Sequence, residues 1–254
     1  MSDVIVLAPR AALERTLEAD CIAPDRFAGA GAKDIGGLPV WYGGQPATLG
    51  DFFALRGERS ARVRIEGPLD RVEGLGSGMA GGELVIDGNA GRDVGIQMTG
   101  GTIEVRGNAG DNAGGAPPGA SRGMTGGEIV IRGSAGREAG ASMRRGLIVI
   151  GGDAGEGAGR GIIAGSVVVF GTAARGAGRW TKRGTIVALG SIDPPATFRY
   201  ACTYRPPHLR LTFCYLRARY ALPIVDRYVT GRYHRYSGDL AGLGRGEILQ
   251  WAEG

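Results

Sequence analysis

The sequence predicts an all-β chain wound as a right-handed parallel β-helix of about seven rungs, and three observations carry that reading. Glycine returns on a fixed period. Gly82, Gly101, Gly127, Gly146, Gly165 and Gly184 each open a unit; four of the five steps are 19 residues, and the step from Gly101 to Gly127 is 26. Apolar residues alternate at the second and fourth positions after each opening glycine, which is the period of a half-buried strand. Finally, a 19-residue unit is too short for a returning helix or a core of its own, so successive units must stack in parallel and share one interior.

Each part of the unit has its own reason. The strand is read from Leu84/Ile86, Ile103/Val105, Ile129/Ile131, Ile148/Ile150, Val167/Val169 and Ile186/Ala188, with Val63/Ile65 one level earlier. Glycine always stands at the sixth position, as Gly67, Gly88, Gly107, Gly133, Gly152, Gly171 and Gly190, and a positive-φ corner is expected there. The following loop, G-x-A-G-x-x-A-G in most units, puts Ala90, Ala109, Ala135, Ala154 and Ala173 in one narrow column. Met79, Met98, Met124, Met143 and Ile162 form another, expected to fill the core rather than bind metal. Asn89, Asn108, Ser134, Asp153 and Thr172 make a polar column, expected to cap turn amides rather than hold calcium. Seven levels at ~4.8 Å give a prism on the order of 30 Å long. A left-handed hexapeptide coil is disfavoured because 19 is not a multiple of six. The longer step is an insertion over Gly114–Ser121, rich in Gly and Pro, and is expected to be a loop on one edge.

The outward-facing positions change character along the coil. The third position runs Arg64, Val85, Glu104, Val130, Val149, Val168, Val187, and the fifth runs Glu66, Asp87, Arg106, Arg132, Gly151, Phe170, Leu189. An apolar strip of that length is seldom left in water. The last rungs are therefore expected to be covered by the chain's own ends or by another subunit, and Val168, Phe170, Val187 and Leu189 are assigned to a partner interface.

Composition divides the chain into three parts: an N-terminal flanking segment (1–59), the coil (60–190) and a basic, aromatic C-terminal segment (191–254). The formal net charge is +5, yet residues 196–236 hold eight Arg against the single acid Asp226, together with seven of the eight Tyr and both His. Arg205, Arg210, Arg217, Arg219, Arg232 and Arg235 are the candidate anion-binding residues. Nucleic acid is disfavoured as their ligand because no recognised binding motif accompanies them. Strings such as Gly151-Gly152-Asp153-Ala154-Gly155 lack the Lys-Ser/Thr of a phosphate loop. Cys21, Cys202 and Cys214 show no C-x-x-C spacing, and two histidines cannot build a multi-histidine centre, so no metal site is expected. No catalytic residue is identified. No stretch approaches ~18 apolar residues and the start MSDVIVLAPRAALER has no leader pattern, so no membrane association and a cytoplasmic location are expected.

The coils GGELVIDGNAGRDVGIQM and GGEIVIRGSAGREAGASM, the segment APDRFAGAGAKDIGGLPVWYGGQPATLGDFF and the tail YHRYSGDLAGLGRGEILQW together resemble the C subunit of formylmethanofuran dehydrogenase. Its bacterial relative is the C subunit of the formyltransferase/hydrolase complex of methylotrophs. The resemblance covers nearly the whole chain, and its two flanks separate it from the β-helix domain of glutamate synthase, which shares the coils. It implies a noncatalytic structural subunit in tetrahydromethanopterin-linked one-carbon metabolism, with no cofactor on this chain. The carrier is methylofuran or methanofuran, whose glutamate tail would suit the basic segment. The implied partners are an amidohydrolase-like subunit holding zinc, a formyltransferase and a further subunit. In the dehydrogenase version a molybdenum- or tungsten-pterin subunit joins them. With 28 Arg against 2 Lys, the composition associates the chain with bacterial methylotrophs and hence with the formyltransferase/hydrolase version. The rival readings are a glutamate-synthase-type spacer and an independent carbohydrate-active β-helix enzyme. The latter is disfavoured by the scarcity of aromatics on the coil.

Overall fold

The computed structural model describes residues 4–252; Met1–Asp3, Glu253 and Gly254, at the outer ends of the two flanking segments, lie outside the described residues. The N-terminal segment contributes β1 (Ile5–Pro9), β2 (Leu17–Glu18), α1 (Pro24–Phe27), α2 (Ala32–Gly36), β3 (Pro39–Tyr42), β4 (Gln45–Thr48), α3 (Leu49–Phe52) and β5 (Phe53–Arg56). The repeats contribute β6 (Arg62–Ile65), β7 (Val72–Glu73), β8 (Glu83–Ile86), β9 (Thr102–Val105), β10 (Glu128–Ile131), β11 (Leu147–Ile150), β12 (Ser166–Val169) and β13 (Thr185–Ala188). The C-terminal segment contributes β14 (Arg199–Tyr204), α4 (Pro207–Tyr220), α5 (Asp226–Thr230), β15 (Arg232–Gly238) and β16 (Gly246–Ala252).

Strands dominate, as the alternating pattern requires. The main sheet has twelve strands in the order β14-β15-β16-β13-β12-β11-β10-β9-β8-β6-β1-β5. From β6 through β13 its neighbours are parallel and in register, so that Ile103, Ile129, Ile148, Val167 and Ile186 fall in one column. A second ladder of single bridges links Leu69, Ala90, Ala109, Ala135, Ala154, Ala173 and Ile192 from level to level. Met79, Met98, Met124, Met143 and Ile162 are fully buried in the interior between these ladders. The polar column bonds as a ladder: Asn108, Ser134, Asp153 and Thr172 each donate a backbone N–H to the side chain one level back, at 2.6–3.0 Å.

The flanks extend this stack beyond the repeat. Strand β1 runs parallel to β6, placing Ile5 and Leu7 beside Val63 and Ile65, and β16 runs parallel to β13, placing Ile248 beside Ile186. Antiparallel β5 closes one end and the antiparallel pair β14–β15 the other, which protects edges that would otherwise invite pairing.

The corner glycines require a correction. Gly67 has positive φ, whereas Gly88, Gly107, Gly133, Gly152, Gly171 and Gly190 do not; positive φ falls instead on the opening glycines Gly82, Gly101, Gly127, Gly146 and Gly165, though not Gly184, and on residues of the loops. Close stacking is what demands glycine at the sixth position. A Cβ on Gly88 would lie 2.6 Å from the carbonyl oxygen of Gly67, and one on Gly171 would lie 2.8 Å from both C and O of Gly152. The inserted segment is also shorter than its composition suggested. Gly114 and Gly115 remain part of the stacked turn, Gly114 donating to Val94 O at 2.7 Å, and the exposed excursion begins after them.

Candidate anion-binding surface

The C-terminal segment is positioned by the apolar strip. Helix α4 begins with Pro207 in its first turn, where a missing N–H costs nothing, and ends at Ala221 in the left-handed conformation. Its buried residues Leu209, Phe213, Leu216 and Tyr220 recur at spacings of four, three and four, the stripe of an amphipathic helix. They form one cluster with Val130, Val149, Val168, Val187 and Leu189, and Phe170 packs at its edge. The strands record this cover: β8 and β9 bury alternate residues, while β10 to β13 bury the third position as well. Val168, Val187 and Leu189 are thus buried within the chain against its own C-terminal segment, while Phe170 is partly buried at the edge of the cluster. The signal for α4 was present, as Pro206-Pro207 followed by that stripe, but interleaved Arg and Tyr obscured it.

Polar contacts fasten the helix to lower levels of the coil. Tyr215 and Tyr220 both donate to the carboxylate of Glu128. Arg132 bridges Glu104 and the carbonyl of Tyr220, both at 2.7 Å. Burial and then the bond to Glu128 raise the phenol pKa of both Tyr215 and Tyr220, so the two stay neutral donors.

These contacts divide the six candidate arginines. Arg217 donates to Ile224 O and pairs with Asp226 at 2.8 Å; Arg219 pairs with Glu83 at 3.1 Å; Arg235 lies 3.0 Å from Glu247. Their charge is therefore met by carboxylates of this chain, all of them contributed from outside the helix. Arg232 donates to the carbonyl of Thr203 at 3.3 Å. Arg205 and Arg210 are exposed and have no carboxylate partner among the described residues. Together with Pro206, Pro207, Leu211, Val229 and Thr230 they line a groove of about 660 Å³. A second groove, of about 620 Å³, lies at the opposite end around Pro9, Leu13, Phe52 and Leu69 and offers only Arg71 as a cation. The arrangement can attract an extended anion to the first groove and has little to offer one at the second.

Among the described residues no group of three or more His, Cys, Asp or Glu is set to hold a metal, and no helix is long and apolar enough to cross a membrane. Fold and surface define a stacked-repeat β scaffold with a basic, helix-covered flank. No protein-family model matches the chain. It is 38% identical over 95 residues to the C subunit of molybdenum-containing formylmethanofuran dehydrogenase 1 from Methanosarcina barkeri, a match spanning 35% of this chain and 32% of that protein. Against the C subunit of tungsten-containing formylmethanofuran dehydrogenase 2 from Methanothermobacter marburgensis it is 34% identical over 96 residues, 36% of each. The chain thus spans about a third of the length of these curated relatives. A chain of the crystal structure of the formyltransferase/hydrolase complex from Methylorubrum extorquens, in complex with methylofuran, is similar throughout: 34% identity, TM-score 0.80, covering 98% of this chain and 100% of that one. The chain belongs to the family of formylmethanofuran dehydrogenase C subunits.

Proposed function

We propose that this chain is a noncatalytic structural subunit of a cytoplasmic formyltransferase/hydrolase complex acting on formyl groups carried by methylofuran. The observation that carries the reading is the whole-length similarity to a chain of such a complex, flanks included, whereas the dehydrogenase relatives match over about a third of the chain. In this reading residues 60–190 form a right-handed parallel β-helix of about seven rungs, flanked by segments 1–59 and 191–254. Parallel in-register strands joined by short connections support it, because such crossovers are overwhelmingly right-handed. Zinc chemistry resides on an amidohydrolase-like partner, and a formyltransferase and one further subunit complete the assembly.

The carrier's glutamate tail docks, in this reading, along the groove between Arg205 and Arg210, with Arg232 as a further donor. The absence of a carboxylate beside these two arginines, among the described residues, supports the choice over Arg217, Arg219 and Arg235. Purification of the native protein at its natural stoichiometry, with mass spectrometry of the accompanying chains, tests the assignment. Recovery with an amidohydrolase and a formyltransferase is expected. A glutaminase and a flavin protein as companions would establish the spacer reading instead, and a lone monomer would overturn both.

A further inference from the structure

We propose that the corner of the coil built on Trp180 is a docking surface for an acidic protein partner, namely another member of the complex proposed above, on which this inference rests. Fifteen residues after the opening glycines Gly82, Gly127, Gly146 and Gly165, the backbone is left-handed at Gln97, Ser142, Gly161 and Trp180 (φ 53°, 57°, 68° and 61°). Bulky aromatics rarely adopt that conformation. Here the ring is held outward, 55% exposed.

Its surroundings are fixed by buried chemistry. The Trp180 amide donates to Asp239 Oδ2 at 2.7 Å, and Asp239, only 1% exposed, also accepts from the Ala241 amide at 2.9 Å. This ties Trp180 to the loop that carries Leu240 and Leu243, which are 57% and 59% exposed. The guanidinium carbons of Arg160 and Arg179 lie 5.5 and 5.4 Å from the ring centroid. Arg160 is paired with Glu138 at 3.0 Å and Arg179 feels the buried Asp239 carboxylate, so the positive charge left over beside Trp180 is that of Lys182 and Arg183, both exposed and without an ion pair among the described residues. Trp180 flanked by Arg160 and Arg179 supplies the residue types enriched in interface hot spots, and the loop tied to its backbone adds two exposed leucines. Its complement is an apolar pocket bordered by carboxylates, and this basic rim would steer such a surface toward it.

The test is reconstitution of the complex from this chain and its partner subunits. Trp180→Gly is the informative variant, because glycine already occupies the equivalent position at Gly161 and suits its left-handed backbone. Its melting temperature should match or exceed that of the wild type while its affinity for the partner subunits falls at least tenfold. Leu240→Ser with Leu243→Ser should act in the same direction. In the wild type, assembly should shift Trp emission to shorter wavelength, and Trp180→Gly should lose that shift. Unchanged affinity in both variants overturns the proposal. So does binding of this corner to anionic phospholipid vesicles or to poly-γ-glutamate while assembly stays normal in the variants. If the wild-type chain joins no partner at all, the reading of the chain as part of a complex has itself failed.

Discussion

Replacing Gly171 with Ala should destabilise the chain by about 2–4 kcal/mol, and the reason is stacking rather than backbone conformation. The new Cβ would sit 2.8 Å from both C and O of Gly152 one level below, against a comfortable separation of about 3.5 Å, and closer still to Asp153 Oδ1. The two stacked turns must part locally, an overpacking cost of about 1–3 kcal/mol. Asp153 Oδ1 must also move, although it accepts the Thr172 amide at 2.6 Å, and losing that bond costs about 1 kcal/mol. For a chain of this size the melting temperature should fall by roughly 5–15 °C. Urea unfolding followed by circular dichroism measures it. Gly157→Asn is the control: φ is 73°, the nearest atom to a Cβ is 3.5 Å away, and Asp93, Asn112 and Glu138 adopt the same conformation at the equivalent position. It should change stability by less than about 1 kcal/mol. A left-handed requirement at Gly171 would make Asn milder than Ala there, since Asn tolerates that region. Stacking makes Asn at least as harmful. Wild-type stability for Gly171→Ala, or a milder Gly171→Asn, would refute the reasoning.

Three further outcomes are expected. Val168→Asp places a carboxylate with no partner under α4 and should cost about 3–5 kcal/mol, exposing residues 199–231 to limited proteolysis; resistance equal to wild type would show that α4 does not cover the strip. Arg205→Glu with Arg210→Glu in the assembled complex should raise KM for the formylated carrier about tenfold at low salt, less at high salt, with kcat and assembly unchanged; an unmoved KM removes the groove from carrier binding. Burial, then the neighbouring charge of Asp20, pushes the Cys21 thiol up to about 11, whereas Cys202 and Cys214 are exposed, so two of three thiols should react rapidly with a disulfide reagent at pH 8. Because Cys21 ionises more readily unfolded, its contribution to stability should be intact below the unfolded value of about 8.5 and decline as the pH rises toward about 11; rapid reaction of all three thiols in the native protein would contradict the buried placement.

What the sequence determined by itself was everything that recurs. Apolar alternation, the Ala and Met columns and the Asn89-to-Thr172 ladder are each written about five times or more at near-constant spacing, and in-register stacking places equal positions on top of one another. A repeated local pattern is legible because each copy corroborates the others. The reason for glycine at Gly88 or Gly171 was not legible in that way: spacing shows that a Cβ is forbidden, but only the distance to the level below shows that a neighbouring carbonyl forbids it. What tertiary structure decided was everything that occurs once. Helix α4 lies on Val168 and Val187 because those levels offer an apolar face, and β1 and β16 extend the stack from outside the repeat. The neutralisation of Arg219 by Glu83 joins residues 136 positions apart. Net charge along a segment predicted a free basic surface, but charges interact through space, and the coil's own Glu83 and the neighbouring strand's Glu247 narrowed it to the groove at Arg205 and Arg210.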